Sequence, residues 1–212
     1  MFHLFSFCTL SLLFIVPPVV VNAGQSGFGE DGQVLSLVPG FDDAGAFDVS
    51  VDGLGGVVIS GVVGSFAFMP DADELFLLRY LPDGTVDPAF AGGTGAITDF
   101  GGSGMGTSGG LMVEPAGSIV QLGFGPNIIP GELSFAVARV ASSGTPDVFF
   151  DGDGQAVVTF PEESLTGNSD IARLDDGRYV IAGSSHGTVA DPEAGLAMLL
   201  SDGSLDVSFD GD

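Results

Sequence analysis

Lysine and tryptophan are absent from this 212-residue chain, and cysteine occurs once, at Cys8. Without lysine there is no Schiff-base chemistry, no Walker-type phosphate loop and little means of docking on an anionic membrane surface. Positive charge is scarce altogether: four arginines (Arg79, Arg139, Arg173, Arg178) face 28 acidic side chains, for a net charge of −24. Such a field repels phosphate and offers no basic stripe for counterion release, so nucleic acid is excluded as a partner. Charge of any sign makes up only 15% of the residues, while 45% are hydrophobic and the mean hydropathy is +0.46. That balance opposes intrinsic disorder.

The one long apolar run lies at the start. Leu4 to Val21 is almost uninterrupted and leads into Val21-Asn22-Ala23, small residues where a signal peptidase reads, just before Gly24. This is the pattern of a cleaved secretory signal over residues 1–23, although His3 stands where lysine or arginine is usual. A retained membrane anchor is the alternative. No later stretch approaches the roughly 20 apolar residues of a spanning helix. Export to the periplasm, cell surface or medium is expected. Cys8 falls inside the leader, so the mature chain over 24–212 has no thiol. Disulfides, thiolate nucleophiles and cysteine-ligated metals are excluded with it.

What the chain has in abundance is glycine, 35 residues of it, and its placement is periodic. Gly84-Thr85-Val86-Asp87-Pro88-Ala89-Phe90, Gly144-Thr145-Pro146-Asp147-Val148-Phe149-Phe150 and Gly203-Ser204-Leu205-Asp206-Val207-Ser208-Phe209 share the pattern Gly-[Ser/Thr]-x-Asp-x-x-Phe. Gly55 and Gly61, Gly117 and Gly123, and Gly177 and Gly183 bracket short apolar runs in the same phase. With Phe28 at the head of the series, the steps to Phe90, Phe150 and Phe209 are 62, 60 and 59 residues. The chain therefore divides into three units, 28–89, 90–149 and 150–208.

Each unit parses into four short β segments separated by Gly, Asp, Pro and Ser. In the first unit these are Gln33–Val38, Phe47–Val51, Val57–Val63 and Leu75–Leu81. The second offers Ala96–Phe100, Leu111–Glu114, Ser118–Gly123 and Ser134–Val140, and the third Gln155–Phe160, Asp170–Leu174, Arg178–Gly183 and Leu196–Leu200. Helical periodicity is not sustained anywhere after the leader. The expected fold is all-β: three tandem four-stranded repeats stacked as a partial or open propeller-like array, since such a unit cannot bury both faces alone.

The string Phe76-Leu77-Leu78-Arg79-Tyr80-Leu81-Pro82-Asp83-Gly84-Thr85-Val86-Asp87-Pro88-Ala89-Phe90 resembles the delta-60 repeat of secreted bacterial proteins, as does Leu174 to Gly183 with Asp175-Asp176-Gly177 at its turn. The resemblance spans nearly all of 27–212 and implies a β-propeller-like fold without implying an activity. It carries the family's last-strand arginine to Arg79 and Arg139, whereas the third unit has Leu199 at that place. The first unit departs furthest, with Met69-Pro70-Asp71-Ala72-Asp73 inserted before its last strand.

The recurring residues have roles that need no ligand. Gly84, Gly144 and Gly203 suit a reversal at positive φ, and Asp87, Asp147 and Asp206 suit turns closed on backbone N–H groups. Phe90, Phe150 and Phe209 are large enough to plug the space between stacked sheets. Arg79 and Arg139 are expected to pair with nearby carboxylates or to lie along the sheet.

Catalytic patterns fail on context. Gly106-Thr107-Ser108-Gly109-Gly110 spells G-x-S-x-G, and His186 is the one histidine after the leader, yet no helix follows Ser108 and the glycines read as a loop. Gly104 to Gly109 spells G-x-G-x-x-G without a βαβ unit. Acidic turns at Glu30-Asp31-Gly32, Asp151-Gly152-Asp153-Gly154 and Asp210-Gly211-Asp212 make calcium a minor alternative, but they lack a distant bidentate glutamate and a nine-residue period. No catalytic, cofactor-binding or metal-binding residue is assigned.

The expected function is a non-catalytic secreted repeat module with a structural, adhesive or ligand-binding role. Alternatives are a propeller enzyme acting on carbohydrate through paired acids, or a calcium-stabilised assembly unit. Closed propellers use about four to eight blades, so three units are expected either to belong to a longer chain or to associate with a further copy.

Overall fold

The computed structural model describes residues 28–29, 31–64, 74–101, 106–125, 134–160, 163–187 and 192–209. The leader over 1–23, Glu30, the Met69–Asp73 insertion and Asp210–Asp212 lie outside the described residues. Among the described residues eleven strands account for the regular structure: β1 (Ala44–Val51), β2 (Val57–Val63), β3 (Glu74–Tyr80), β4 (Ala96–Thr98), β5 (Gly106–Val113), β6 (Ile119–Gly125), β7 (Ser134–Val140), β8 (Gln155–Val158), β9 (Glu163–Arg173), β10 (Tyr179–Gly187) and β11 (Pro192–Leu199). The only helical element among the described residues is a 3-10 turn at Ala91–Gly93.

The strands form three antiparallel sheets, ordered β1-β2-β3-β4, β5-β6-β7-β8 and β9-β10-β11. Stacked side by side, with β5 lying between β1 and β9, they make an open β-propeller-like array.

Period-2 alternation explains why the inner strands are apolar on both faces. On β3, Phe76, Leu78 and Tyr80 pack against Val38 and the segment around Phe28, Val34 and Phe41. Leu75 and Leu77 point the other way, into the second sheet, where they meet Ala136 and Ile119 with Val140. The pattern shifts by one sheet on β7: Phe135 and Val137 join Tyr179, Ile181 and Leu199 of the third sheet in the largest core cluster. Close stacking needs small residues opposite these anchors. A Cβ at Gly123 would stand 2.9 Å from Leu75, and one at Gly183 would stand 2.7 Å from the Phe135 ring. Gly123 and Gly183, the second glycine of each bracketing pair in the second and third units, are thus seats for the preceding sheet's side chains.

Sheets and sequence units are out of phase by one strand. The segment read as opening the second unit, Ala96–Phe100, is the outer strand of the first sheet, with Leu75 opposite Thr98, Phe76 opposite Ile97 and Leu77 opposite Ala96. Gln155–Val158 likewise closes the second sheet on β7. The cause is the loop after β3 or β7, which crosses to touch the next sheet before returning to its own. Gln33–Val38 occupies the same phase, but it forms no strand here: Leu35 and Leu37 are 87% and 77% exposed, and only Val38 is buried. The third sheet accordingly has three strands among the described residues, not four. Several strands are longer than read from sequence: β1 begins at Ala44, β9 at Glu163 and β11 at Pro192, and β6 runs to Gly125. β5 begins at Gly106 and β10 runs to Gly187, because ladder pairing with β6 and with β9 and β11 holds glycine and serine positions that look like loop.

Candidate functional site

The site is built from the loop that follows the third strand of each sheet. Leu81 N–H donates to the Thr85 carbonyl at 2.8 Å and Gly84 N–H to Leu81 at 2.9 Å, a reversal that holds Gly84 at φ +84°. Asp87 then organises the loop with both oxygens. One accepts the Ala89 N–H at 2.8 Å, two residues on, and the other accepts Arg79 Nε at 2.7 Å. The guanidinium lies 4.8 Å above the Phe90 ring and its Nη1 donates to the Ser142 carbonyl of the second sheet at 2.8 Å. Ala91 N–H donates to the Ser143 carbonyl at 2.7 Å. Every recurring residue of the motif thus contributes to one joint between sheets.

The second joint repeats the first. Asp147 accepts Phe149 N–H at 3.1 Å and Arg139 Nε at 2.9 Å; Arg139 sits 4.7 Å over Phe150 and donates to the Ser201 carbonyl at 2.7 Å. Asp151 N–H donates to the Asp202 carbonyl at 2.6 Å. Ala91 and Asp151 both take positive φ, 48° and 49°, to aim these N–H groups, a requirement their side chains do not advertise. In the third unit the arginine's place, read from the sequence as Leu199, is held by Met198: it stands opposite Val180 as Arg79 and Arg139 stand opposite Val58 and Val120, and its carbonyl accepts Asp206 N–H as theirs accept Asp87 and Asp147 N–H. Asp206 pairs instead with Arg178 Nη1 at 3.0 Å, while Arg178 Nε also donates to Asp176 at 2.9 Å. Hydrogen bonds from Ser208, then from Arg178, hold the Asp206 carboxyl below the usual range. The plug residues divide in the same way: Phe90 and Phe150 are 1% and 0% exposed, and Phe209 is 41% exposed.

The two complete joints differ in what fills them above the arginine. Between the second and third sheets Tyr179 stands edge-on to Phe150, centroids 5.9 Å apart. Its hydroxyl donates to Glu114 Oε1 at 2.8 Å and accepts Arg139 Nη1 at 3.2 Å, and Arg173 Nε pairs with the same glutamate oxygen at 2.9 Å. Burial, reinforced by the Glu114 bond, pushes the Tyr179 phenol above its ordinary pKa. Burial pulls the other way on Arg139, but the bond to Tyr179 and the charges of Asp147 and Glu114 outweigh it and hold the guanidinium pKa high.

Between the first and second sheets the Tyr179 position is Ile119, the Arg173 position is Val113 and the Glu114 position is Asp52. A cleft of about 490 Å³ opens there, with Arg79, Asp52 and Glu114 at its polar edge and Val58, Val113 and Ile119 as its apolar floor. Asp52 Oδ1 accepts Leu54 N–H at 2.8 Å and Gly56 N–H at 2.7 Å within its own turn, leaving Oδ2 without a hydrogen bond among the described residues.

The sequence patterns weighed as catalytic do not converge on this cleft. Ser108 belongs to β5 and His186 to β10, where it stands in register with Ser164 and Pro192; both were read as loop residues, and both are in strands. Their side chains lie outside the described ones. Strand β5 runs into the turn before β6 rather than into a helix, so the G-x-S-x-G string has no elbow geometry. In the acidic turns, Asp31 accepts Gln33 N–H at 3.2 Å and Asp153 accepts Gln155 N–H at 2.9 Å, the side-chain turn bonds of the ligand-free reading. Desolvation, then the charges of Asp153 and Asp202, raise the Asp151 carboxyl. No group of three or more His, Cys, Asp or Glu that could hold a metal occurs among the described residues. Sequence reading missed Glu114, Tyr179 and Arg173. The available signal was that Tyr179 interrupts a position otherwise held by Val57 and Ile119.

The fold and its joints define an open β-propeller-like repeat array. Two segments, residues 62–90 and 174–209, match the family model described as a domain of unknown function (DUF5122) beta-propeller. They contain the two halves of the repeat motif, the loop from β3 to Phe90 and the turn from Leu174 to Phe209. No curated protein matches the chain. Among solved structures the chain is similar to an endo-arabinase from Bacteroides thetaiotaomicron VPI-5482, at 12% identity and a TM-score of 0.44, over 74% of this chain and 56% of that one. The chain thus spans a little over half the length of that enzyme.

Proposed function

We propose that this chain is a non-catalytic, exported repeat module of the delta-60 type, acting as a structural, adhesive or ligand-binding surface. The supporting observation is the use of its cations. All four arginines are engaged in ion pairs within or between the sheets, and Arg79 and Arg139 each bind an aspartate, a phenylalanine ring and a neighbouring sheet's carbonyl at once. Residues so committed hold a scaffold together. No helix among the described residues is long and apolar enough to cross a membrane.

The test takes the secreted full chain. Intact mass is expected to show loss of residues 1–23, and incubation with a panel of polysaccharides, polymers of arabinose included, is expected to release no new reducing ends. Turnover above the buffer control that survives further purification would overturn the non-catalytic reading. Recovery of an intact Met1 in membranes would overturn export.

A further inference from the structure

The filled joint serves as a template for the open one. Between the second and third sheets, a phenol ring stands on the joint with its hydroxyl between a carboxylate from the preceding sheet's first turn, Glu114, and the guanidinium of Arg139. Between the first and second sheets the same frame is present: Asp52 occupies the Glu114 position, Arg79 the Arg139 position, and Ile119 stands where the tyrosine would be. Arg139 Nη1 serves both a backbone carbonyl and the phenol, whereas Arg79 Nη1 serves the carbonyl alone among the described residues. The aspartate's Oδ2 is the matching acceptor.

We propose that the cleft between the first two sheets binds a phenol ring, its hydroxyl donating to Asp52 and accepting from Arg79, its face along Val113 and Leu54 above the buried base of Ile119 and Val58. The source is either a free small phenol or a tyrosine side chain, since the two share the recognised chemistry. About 490 Å³ lies within the range of small-ligand pockets, with apolar walls and a few convergent polar groups. A carboxylate that accepts from a hydroxyl makes the stronger, charge-assisted kind of hydrogen bond, and the guanidinium fixes orientation without being able to lose its proton. This site deepens the ligand-binding side of the proposed function and rests on that reading, but turnover and binding are measured separately, so either can fail alone.

The test is fluorine NMR of the full chain with 4-fluorophenol and, in parallel, 3-fluoro-N-acetyltyrosinamide, with arabinose and glucose as competitors. Broadening of either probe at millimolar concentration, unaffected by the sugars, is expected; broadening of the first alone assigns a free phenol and of the second alone a tyrosine. Ile119→Tyr places the chain's own ring in the cleft and is expected to abolish the effect. Asp52→Asn keeps the turn's acceptor and is expected to weaken binding roughly tenfold, the scale of one hydrogen bond to a charged group. Absence of broadening, full displacement by sugar, or broadening unchanged in both variants would overturn the proposal.

Discussion

The joint between the first and second sheets and the joint between the second and third share their backbone bonds, their Arg–Asp pair and their phenylalanine plug, and they differ in a ring and its two charged partners: Tyr179, Arg173 and Glu114 in one, Ile119, Val113 and Asp52 in the other. Where the sequence has Tyr179, the joint is closed by a chain of hydrogen bonds from Arg139 through the phenol to Glu114 and Arg173. Where it has Ile119, the apolar base is intact and buried, yet a cleft remains above it. Attachment of one sheet to the next is therefore the work of the recurring motif, while the presence or absence of a cavity is left to positions the motif does not specify.

The comparison breaks most severely at the plug. Phe150→Ala empties a fully buried site shared by two sheets and should cost about 3–5 kcal/mol, whereas Phe209→Ala, at a half-open position without a further sheet against it among the described residues, should cost under about 1 kcal/mol. Denaturant titration of the two variants decides this; equal losses would mean that the plug is not what holds the sheets.

Next comes the arginine. Arg139→Ala strands Asp147 and the phenol together and should cost about 3 kcal/mol, the scale for breaking a largely buried pair. Arg79→Ala should cost less by about 1 kcal/mol, the worth of the one hydrogen bond that the open joint lacks. If Arg79→Ala proved the more damaging, the Tyr179 link would carry no stability.

Gly183→Ala should destabilise by about 1–3 kcal/mol, because the new Cβ meets the rigid Phe135 ring. Gly123→Ala should be milder, since the atoms it meets are the tips of Leu75, which can rotate. Thermal melts of the pair rank the two joints by rigidity.

The smallest effect is a titration. A phenol whose folded pKa is raised contributes stability that is complete below its unfolded pKa, about 10, and is lost as the pH rises through the higher folded value. Absorbance at 295 nm should show a late-ionising tyrosine, and Tyr179→Phe should remove that late component.

Much of this was legible along the chain. The spacing of Gly84, Gly144 and Gly203 with Phe90, Phe150 and Phe209 specifies a repeat, and the Asp between them has the turn role its chemistry suggests. Strand content followed from short apolar runs bounded by turn residues, as at Leu75–Leu81. The phase of the sheets did not follow: Ala96–Thr98 is adjacent in sequence to the second unit's strands, yet pairs with β3, because the loop reaches across to Ser143 and returns. Nor did the strand state of Ser108 and His186, since composition says loop and only the partner ladders say strand.

The sequence by itself determined the all-β repeat, the absence of lysine chemistry, and the local turns, because each depends on residue types and on spacings of about sixty residues or less. Tertiary structure decided which strand closes which sheet, which arginine finds which aspartate where Met198 stands in the third unit's arginine position, and where a cleft survives. Those outcomes depend on side chains brought together from adjacent units, Tyr179 onto Glu114 across 65 positions and Arg79 onto Ser142 across 63, and no local propensity records them.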